Sequence, residues 1–440
     1  PEPEPSAASE PPVSAPPALP PFALSFSKED SLHPYKAQSR ANLDLASLLY
    51  EGLTAVGGDY AVRLNLAASI DEGEPLRPVV AIRSDAHFSD GSPVTAADIA
   101  ASFSAAKGTA AFGPLLTNIT AAAAQGTDRV AFTLASPDPR WQACLSFPVV
   151  KQGAEDPPLG SGAYVYNAGD DTLTLRPGRG GTITSIRLRD FPDADAMLHG
   201  LENGSLTFFY SELSGGEIPR TSSATADGPL PDLLFLGVNA RHDALKKTEV
   251  RAALSAALSR EELVSGALSG RGAPALSPFP PQWAEAADIK VLGAAENIAS
   301  AVAQLEQAGY NTKGAAGQGE PLSLTLLCSD SNSFRLAAAK QLEEQLEKTG
   351  IAVTVESMSF SDLEKRLDKG DFDLYIGEIR LSANMSLSPL LTEGGAQLTS
   401  EMEAFFEVCP CTRIAVTGSD GKTTRSEERR VGKECRSRWS

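Results

Sequence analysis

Histidine, cysteine and long apolar runs are what this chain has least of. Its four histidines (His33, His87, His199, His242) show no metal-ligand spacing, so the sequence offers no histidine-based metal centre. Of five cysteines, Cys409, Cys411 and Cys435 lie near the end, leaving Cys144 and Cys328 in the body. These two are far apart and read as isolated thiols, and so few cysteines fit either redox compartment. No apolar stretch approaches the ~18 residues of a membrane-spanning helix, and DLLFLGV (232–238) is strand-sized. No basic-then-apolar export signal is present; one lying upstream of Pro1 and already removed is the expectation. No GxSxG elbow or Cys/His nucleophile pattern occurs in the body. Cations are also in the minority, 38 against 56 acidic residues, and a net charge of −18 disfavours nucleic acid and anionic lipid as partners.

What is present is enough for two or three folded units: 440 residues, 42% of them apolar. Pro1 to Pro21 is rich in Pro, Glu, Ser and Ala and cannot build a core, so it reads as a solvated spacer. That spacer is either a tether to a membrane anchor or a frayed end. From Phe22 the pattern alternates as in a strand, and LDLASLLYEGL (43–53) follows as a helix. Asp90-Gly91 marks a turn, and Thr95 with Asp98 forms a capping-box start to an Ala-rich helix. Strands are expected at about 130–135 and 145–150, and GSGAYVY (160–166) and TLTLRP (172–177) form a further pair. GRGG (178–181) lacks the following helix that a phosphate loop needs.

The second half changes rhythm. TEVRAALSAALSREELVSGAL (248–268) has helical spacing. LSLTLLCS (322–329), SFRLAAAKQLEEQLEKTG (333–350), IAVTVESMS (351–359), a helix capped by Ser361 and Glu364, and DFDLYIGEI (371–379) alternate strand and helix. Short connections in that order require right-handed crossovers and a parallel sheet. Ligands of such sheets sit beyond the carboxyl ends of the strands, here Ser329, Ser357 to Ser359 and Glu378 to Asn384. The first half then supplies a facing surface, and closure by a hinge traps a ligand between. Glu378 and Arg380, two apart, share one face of an extended segment. They either receive the two ends of a zwitterion or pair with each other or with neighbours. Arg40 and Asn42 before a helix, Tyr210 after LTFF, and Asn239 after LFLGV are candidates for ligand contact or for core and hinge packing. Trp283 reads as a stacking platform or a buried loop anchor.

Several strings then fall in the order of a known family. LLYEGL (48–53), FSDGSPVTAADIAASF (88–103), GSGAYVY, FLGVNA (235–240), VRAALSAALSREELV (250–264), GRGAPALSPFPP (270–281) and QLEQAGY (304–310) span Phe22 to Ala396. This body resembles the oligopeptide/dipeptide/nickel-binding solute-binding proteins of ABC importers. The resemblance implies an α/β fold of the bilobal periplasmic-binding-protein type II kind. Lobe I would take residues 22–235, with an inserted subdomain at about 61–150; lobe II would take 236–375, and 376–396 would return toward lobe I. It implies a monomer that catalyses nothing, needs no cofactor or metal, and hands a peptide-like solute to a membrane permease. It also implies a place outside the cytoplasm, held by a lipid anchor upstream. Peptide-binding members carry a Trp and an Asp where this chain has Leu381 and Asn384. An amide cannot supply the charge for a peptide ammonium, so Glu378 is the substitute to consider, and nickel, sugars or other solutes stay open.

The end of the chain is different. Residues 397–424, ending in GSDGKTT, resemble the start of the ATP-binding domain of the D-glutamate-adding Mur ligases. Gly418 to Thr424, with Lys422, would form a phosphate loop there, but no helix follows. Cys409 and Cys411 do not close a zinc site. Residues 425–440 carry six basic against three acidic residues and look like a translated adapter, or a basic tail with affinity for polyanions. A truncated, chimeric chain is the expectation, with an ATP-dependent ligase as the alternative function.

Overall fold

The computed structural model describes residues 21–387, apart from 154–155, 217, 219, 276, 287–296 and 315–316. The spacer up to residue 20, the end of the return segment, the ligase-like stretch and the adapter-like tail lie outside the described residues.

The first half builds two sheets. β1 (Phe22–Phe26) is followed by α1 (Arg40–Leu49) and a small hairpin, β2 (Thr54–Val56) and β3 (Val62–Leu64). Next come β4 (Ala67–Asp71), β5 (Val79–Ile82), α2 (Ala96–Lys107), β6 (Ile119–Gln125) and β7 (Arg129–Leu134). These four strands form an antiparallel sheet of order β4-β5-β7-β6. The chain then returns through β8 (Tyr164–Asn167), β9 (Thr172–Leu175), β10 (Ser185–Asp190) and α3 (Ala194–Glu202). β10 lies parallel to β1, giving a second sheet of order β1-β10-β9-β8. The capping box forms as its spacing requires: Asp98 N donates to Thr95 Oγ1, and Thr95 N donates to the Asp98 carboxylate at 3.0 Å.

Two expectations fail here for a packing reason. α1 stops at Leu49 instead of running to residue 53, because Tyr50 turns extended and Gly52 lies against the backbone of Leu145 and Ser146. The 145–150 stretch is no strand. It is a 3-10 turn (Trp141–Ser146) leading into a loop whose Phe147 and Val149 are fully buried.

The strings that carry the family resemblance are held by backbone proximity. A Cβ on Gly162 would lie 2.3 Å from the Leu49 carbonyl carbon, and Gly162 N donates to Leu49 O at 2.9 Å. Arg176 donates to the carbonyls of Ser161 and Phe88 at 2.7 and 2.8 Å. Arg179, from the Gly-rich GRGG, forms a two-pronged pair with Glu51 at 2.9 Å on both arms. These motifs therefore bind the first half together.

The second half gives β11 (Asp232–Val238), α4 (Thr248–Ala256), α5 (Arg260–Gly266), α6 (Ile298–Gln307), β12 (Ser323–Ser329), α7 (Ser333–Glu347), β13 (Ala352–Met358), α8 (Phe360–Lys369) and β14 (Leu374–Arg380). The sheet order is β11-β14-β12-β13. β12 is parallel to both β13 and β14, as the alternation predicts. β12 reads as a mostly apolar run because both its faces are buried. Leu324, Leu326 and Cys328 join one core with α4, α6 and α7, while Leu327 joins Leu363, Phe372 and Tyr375 on the other side. Each such leucine contributes roughly 1.5–3 kcal/mol.

Two details depart from expectation, and the direction of β11 is a third finding. The 248–268 stretch is two helices, because Ser259 Oγ caps a fresh start at Glu262 N. α8 is capped by Ser359 and Asp362 rather than Ser361 and Glu364. β11 runs antiparallel to β14, with Asp232 opposite Arg380 and Val238 opposite Leu374. On this pair each aromatic ring covers a facing glycine: Tyr375 lies over Gly237 and Phe235 over Gly377.

The close approach at Gly162 yields a stability test. Gly162→Ala should destabilise the chain by about 1–3 kcal/mol, the usual cost of overpacking. Gly169→Ala, where an added Cβ meets no atom within 4 Å, should leave the urea midpoint unchanged.

Candidate functional site

Parallel pairing brings the carboxyl ends of β12, β13 and β14 to one edge of the second lobe. Ser329 lies level with Met358. Beyond β12, the α7 N-cap Asn332 donates from its side chain to Leu213 O and Ser214 O at 3.0 and 3.1 Å. Ser333 Oγ donates to Gly216 O. Residues 213–216 belong to the segment linking α3 of the first lobe to β11 of the second, so the strand ends face the crossing between lobes.

The charged residues of that edge are paired. Arg380 donates from Nε and Nη2 to Asp232 at 2.6 and 2.8 Å, and from Nη2 to Glu212 Oε2 at 2.7 Å. Across the crossing, Arg40 at the start of α1 contacts Glu212 Oε1 at 3.4 Å, Tyr210 Oη at 2.7 Å and Asp44 at 2.9 Å. Tyr210 Oη in turn donates to Asp44. Burial, together with that bond to Asp44, pushes the Tyr210 hydroxyl up to about 12. Burial pushes Glu212 upward too, but the Arg380 guanidinium outweighs it and holds Glu212 below the usual glutamate range. Bonds to Asp232 and Glu212 keep Arg380 charged at any ordinary pH.

Glu378 does not join Arg380. It takes a two-pronged bond from Arg335 of α7, Nε at 2.9 Å and Nη2 at 2.7 Å, in a half-buried pair. Glu378 and Arg380 thus each pair with neighbours and not with one another.

A second contact between lobes is apolar. Leu381 and Met385, just past β14, pack with Tyr60 of the first lobe and with Phe279 and Trp283. Leu381 is 3% exposed. Tyr60 and Met385 both have left-handed backbone, φ 58° and 56°. Such a conformation costs a non-glycine residue on the order of 1–3 kcal/mol, so Tyr60 occupies a turn position against local preference while its ring fills this cluster. The Arg140 guanidinium sits 4.8 Å from the Trp283 ring centre and donates to Glu285 and to Tyr60 O. Trp283 is thus an anchor of its loop. Asn384 donates to Asp138 at 2.9 Å, bringing an amide of the return segment against a carboxylate of the first half.

Arg40, Tyr210, Arg380, Leu381 and Asn384 therefore come together along the junction, with Glu378 one pair removed. Two candidates do not join them. Asn42 is 1% exposed and its amide hydrogens donate to Ser27 O, Asp30 O and Ser31 O, which closes the loop before α1. Asn239 is 6% exposed and donates to Gly370 O and Phe372 O. It lies at the amino end of β14, the opposite edge of the sheet, because β11 is antiparallel. Glu212, Asp232, Asp138, Arg140 and Arg335 escaped the sequence reading. Asp232 meets Arg380 only because β11 is antiparallel to β14, a direction the sequence does not signal.

The sequence profile "Bacterial extracellular solute-binding proteins, family 5 Middle" matches residues 62–394. The chain belongs to this family. Its sequence is 27% identical to the oligopeptide-binding protein AppA of Bacillus subtilis, over 76% of this chain and 68% of that protein. The structure is similar to an unliganded, open periplasmic murein tripeptide binding protein, MppA, with a TM-score of 0.69 at 20% identity, covering 84% of this chain and 81% of that one. The family and this likeness establish the bilobal α/β fold of the type II periplasmic binding proteins. A short match of a different kind also occurs. Thirty residues are 70% identical to a UDP-N-acetylmuramoylalanine–D-glutamate ligase of Ruminiclostridium cellulolyticum, 7% of this chain and 6% of that enzyme.

Two measurements follow from the ion pairs. Arg335→Met leaves the Glu378 carboxylate half-buried without its partner and should cost about 1–3 kcal/mol in urea unfolding. In Arg335→Met with Glu378→Leu, much of that loss should return. Because the folded chain holds Glu212 below its ordinary pKa, its bond to Arg380 stabilises the fold fully above the ordinary glutamate range. That stabilisation is lost as pH falls through the depressed value. The stability difference between native chain and Glu212→Gln should therefore shrink on acidification.

Proposed function

We propose that this family member is the extracytoplasmic receptor of an ABC importer, a monomer that holds a peptide-like solute between its lobes and releases it unaltered. The observation that carries the reading is the single polar edge formed by the ends of β12 and β14, turned toward the first lobe. Oligopeptide and tripeptide binding in the names of AppA and MppA supports a peptide-like guest. Arg40, Tyr210, Arg380, Glu378 and Asn384 would make the polar contacts, and Leu381 would border them. The guest competes with pairs already made, so its charged groups must replace Glu212 or Asp232 at Arg380, or Arg335 at Glu378. No cofactor or metal is needed for such capture. The partner is a membrane permease that receives the solute, and a lipid anchor upstream of the Pro-rich spacer would keep the receptor near it.

The ligase reading applies to the short stretch at 397–424, which we take as a fragment joined to a truncated receptor, followed by an adapter-like tail. ATP binding separates the two. Calorimetric titration of the full chain with a pool of tri- to nonapeptides should give saturable heat, and titration with ATP and magnesium should give none. Saturable ATP binding with no peptide response would overturn the receptor reading.

A further inference from the structure

Two nearby stretches of the first crossing hold allegiance to different lobes. Tyr210 is bonded to Arg40 and Asp44 of α1, so it moves with the first lobe. Leu213, Ser214 and Gly216 accept bonds from Asn332 and Ser333 at the start of α7, so they move with the second. Only Ser211 and Glu212 stand between them. Glu212 has extended backbone, φ −109° and ψ 146°, and a 3-10 turn (Leu213–Gly215) begins directly after it.

The charges at this point are arranged in a way that separates folding from lobe orientation. Arg40 has a carboxylate of its own lobe, Asp44, and Arg380 has one of its own, Asp232. Glu212 is the anion the two arginines share: Oε1 faces Arg40 at 3.4 Å and Oε2 faces Arg380 at 2.7 Å. Two guanidiniums this near one carboxylate repel each other, and the shared anion offsets that repulsion. Without it each arginine stays neutralised inside its own lobe, but no carboxylate bridges the two guanidiniums.

We infer that Ser211–Glu212 is the pivot of the first crossing and that Glu212 is a positioning residue, its carboxylate fixing the angle between lobes through Arg40 and Arg380. This goes beyond the receptor reading and concerns only the angle between lobes, so its failure leaves solute binding standing. The half-exposed Arg40 makes the tie sensitive to salt, since exposed pairs are screened. The tie therefore weakens as ionic strength rises, while the buried cores of the two lobes do not.

The test is an interspin distance measured by pulsed electron resonance on the full chain. Cys409, Cys411 and Cys435 are replaced by serine, and labels are placed at Asp195→Cys in α3 and Asp368→Cys in α8, both exposed. Cys144 and Cys328 are buried, and burial pushes their thiols up to about 12 and about 11, so they stay unlabelled. The native chain should give one narrow distance that broadens with added salt. Glu212→Gln should lose that narrow peak at low salt, still melt in one cooperative transition lowered only by the loss of the Arg380 pair, and respond no further to salt. Asp44→Asn should keep the narrow peak, because Glu212 still holds Arg40. A native distance indifferent to salt would overturn the inference even if the variant failed to fold. So would a Glu212→Gln distribution superimposable on the native one, or an Asp44→Asn chain that broadens as much.

Discussion

The direction of three strands decides where this molecule can work. β12, β13 and β14 run parallel, so their polar carboxyl ends emerge together, and the next residues of each must find partners outside the sheet. Those partners lie on the crossing segment and on the first lobe. Had β14 run the other way, Arg380 would lie at the far edge beside Asn239, and no charged group of the second lobe would meet Glu212. The junction between lobes is thus a consequence of strand direction, which in turn follows from short strand–helix–strand connections.

The strings that identify the family are mostly structural. GSGAYVY carries glycines because its backbone lies on the end of α1. LLYEGL carries Glu51 because Arg179 binds it. FSDGSPVTAADIA carries a turn and a helix cap. None of these side chains reaches the junction. This explains how a chain can be assigned to a family while its solute stays a matter of other residues, as fold-forming motifs say little about what the fold holds.

The second lobe was legible because its signals are local. An apolar run of strand length, a cap, and a glycine at the helix end each act within a few residues, and β12, α7, β13 and β14 appear where those signals put them, while α8 starts earlier, at the Ser359 cap. What was missed depends on distant contacts. α1 ends early because residues near Ser146 press on Gly52, and the LSFPVV run becomes a buried loop instead of a strand. The direction of β11 is set by the sheet it joins, so Asn239 looked like a strand end at the junction when it lies opposite. Among the candidate residues, Tyr210 and Arg380 were visible as polar groups after apolar elements, and Arg40 as a polar group at a helix start. Glu212, their common partner, sits in a stretch with no periodicity, and only three-dimensional proximity marks it.

The central claim is that two lobes enclose a guest and return it unchanged. Native mass spectrometry of the chain, purified from cells without refolding, tests this most directly. A bound small molecule should ride with the folded protein, leave on denaturation, and have the same mass after rebinding and release. A recovered molecule altered by incubation with the protein would contradict the claim, as would a folded chain that retains no solute and takes up none from a peptide pool.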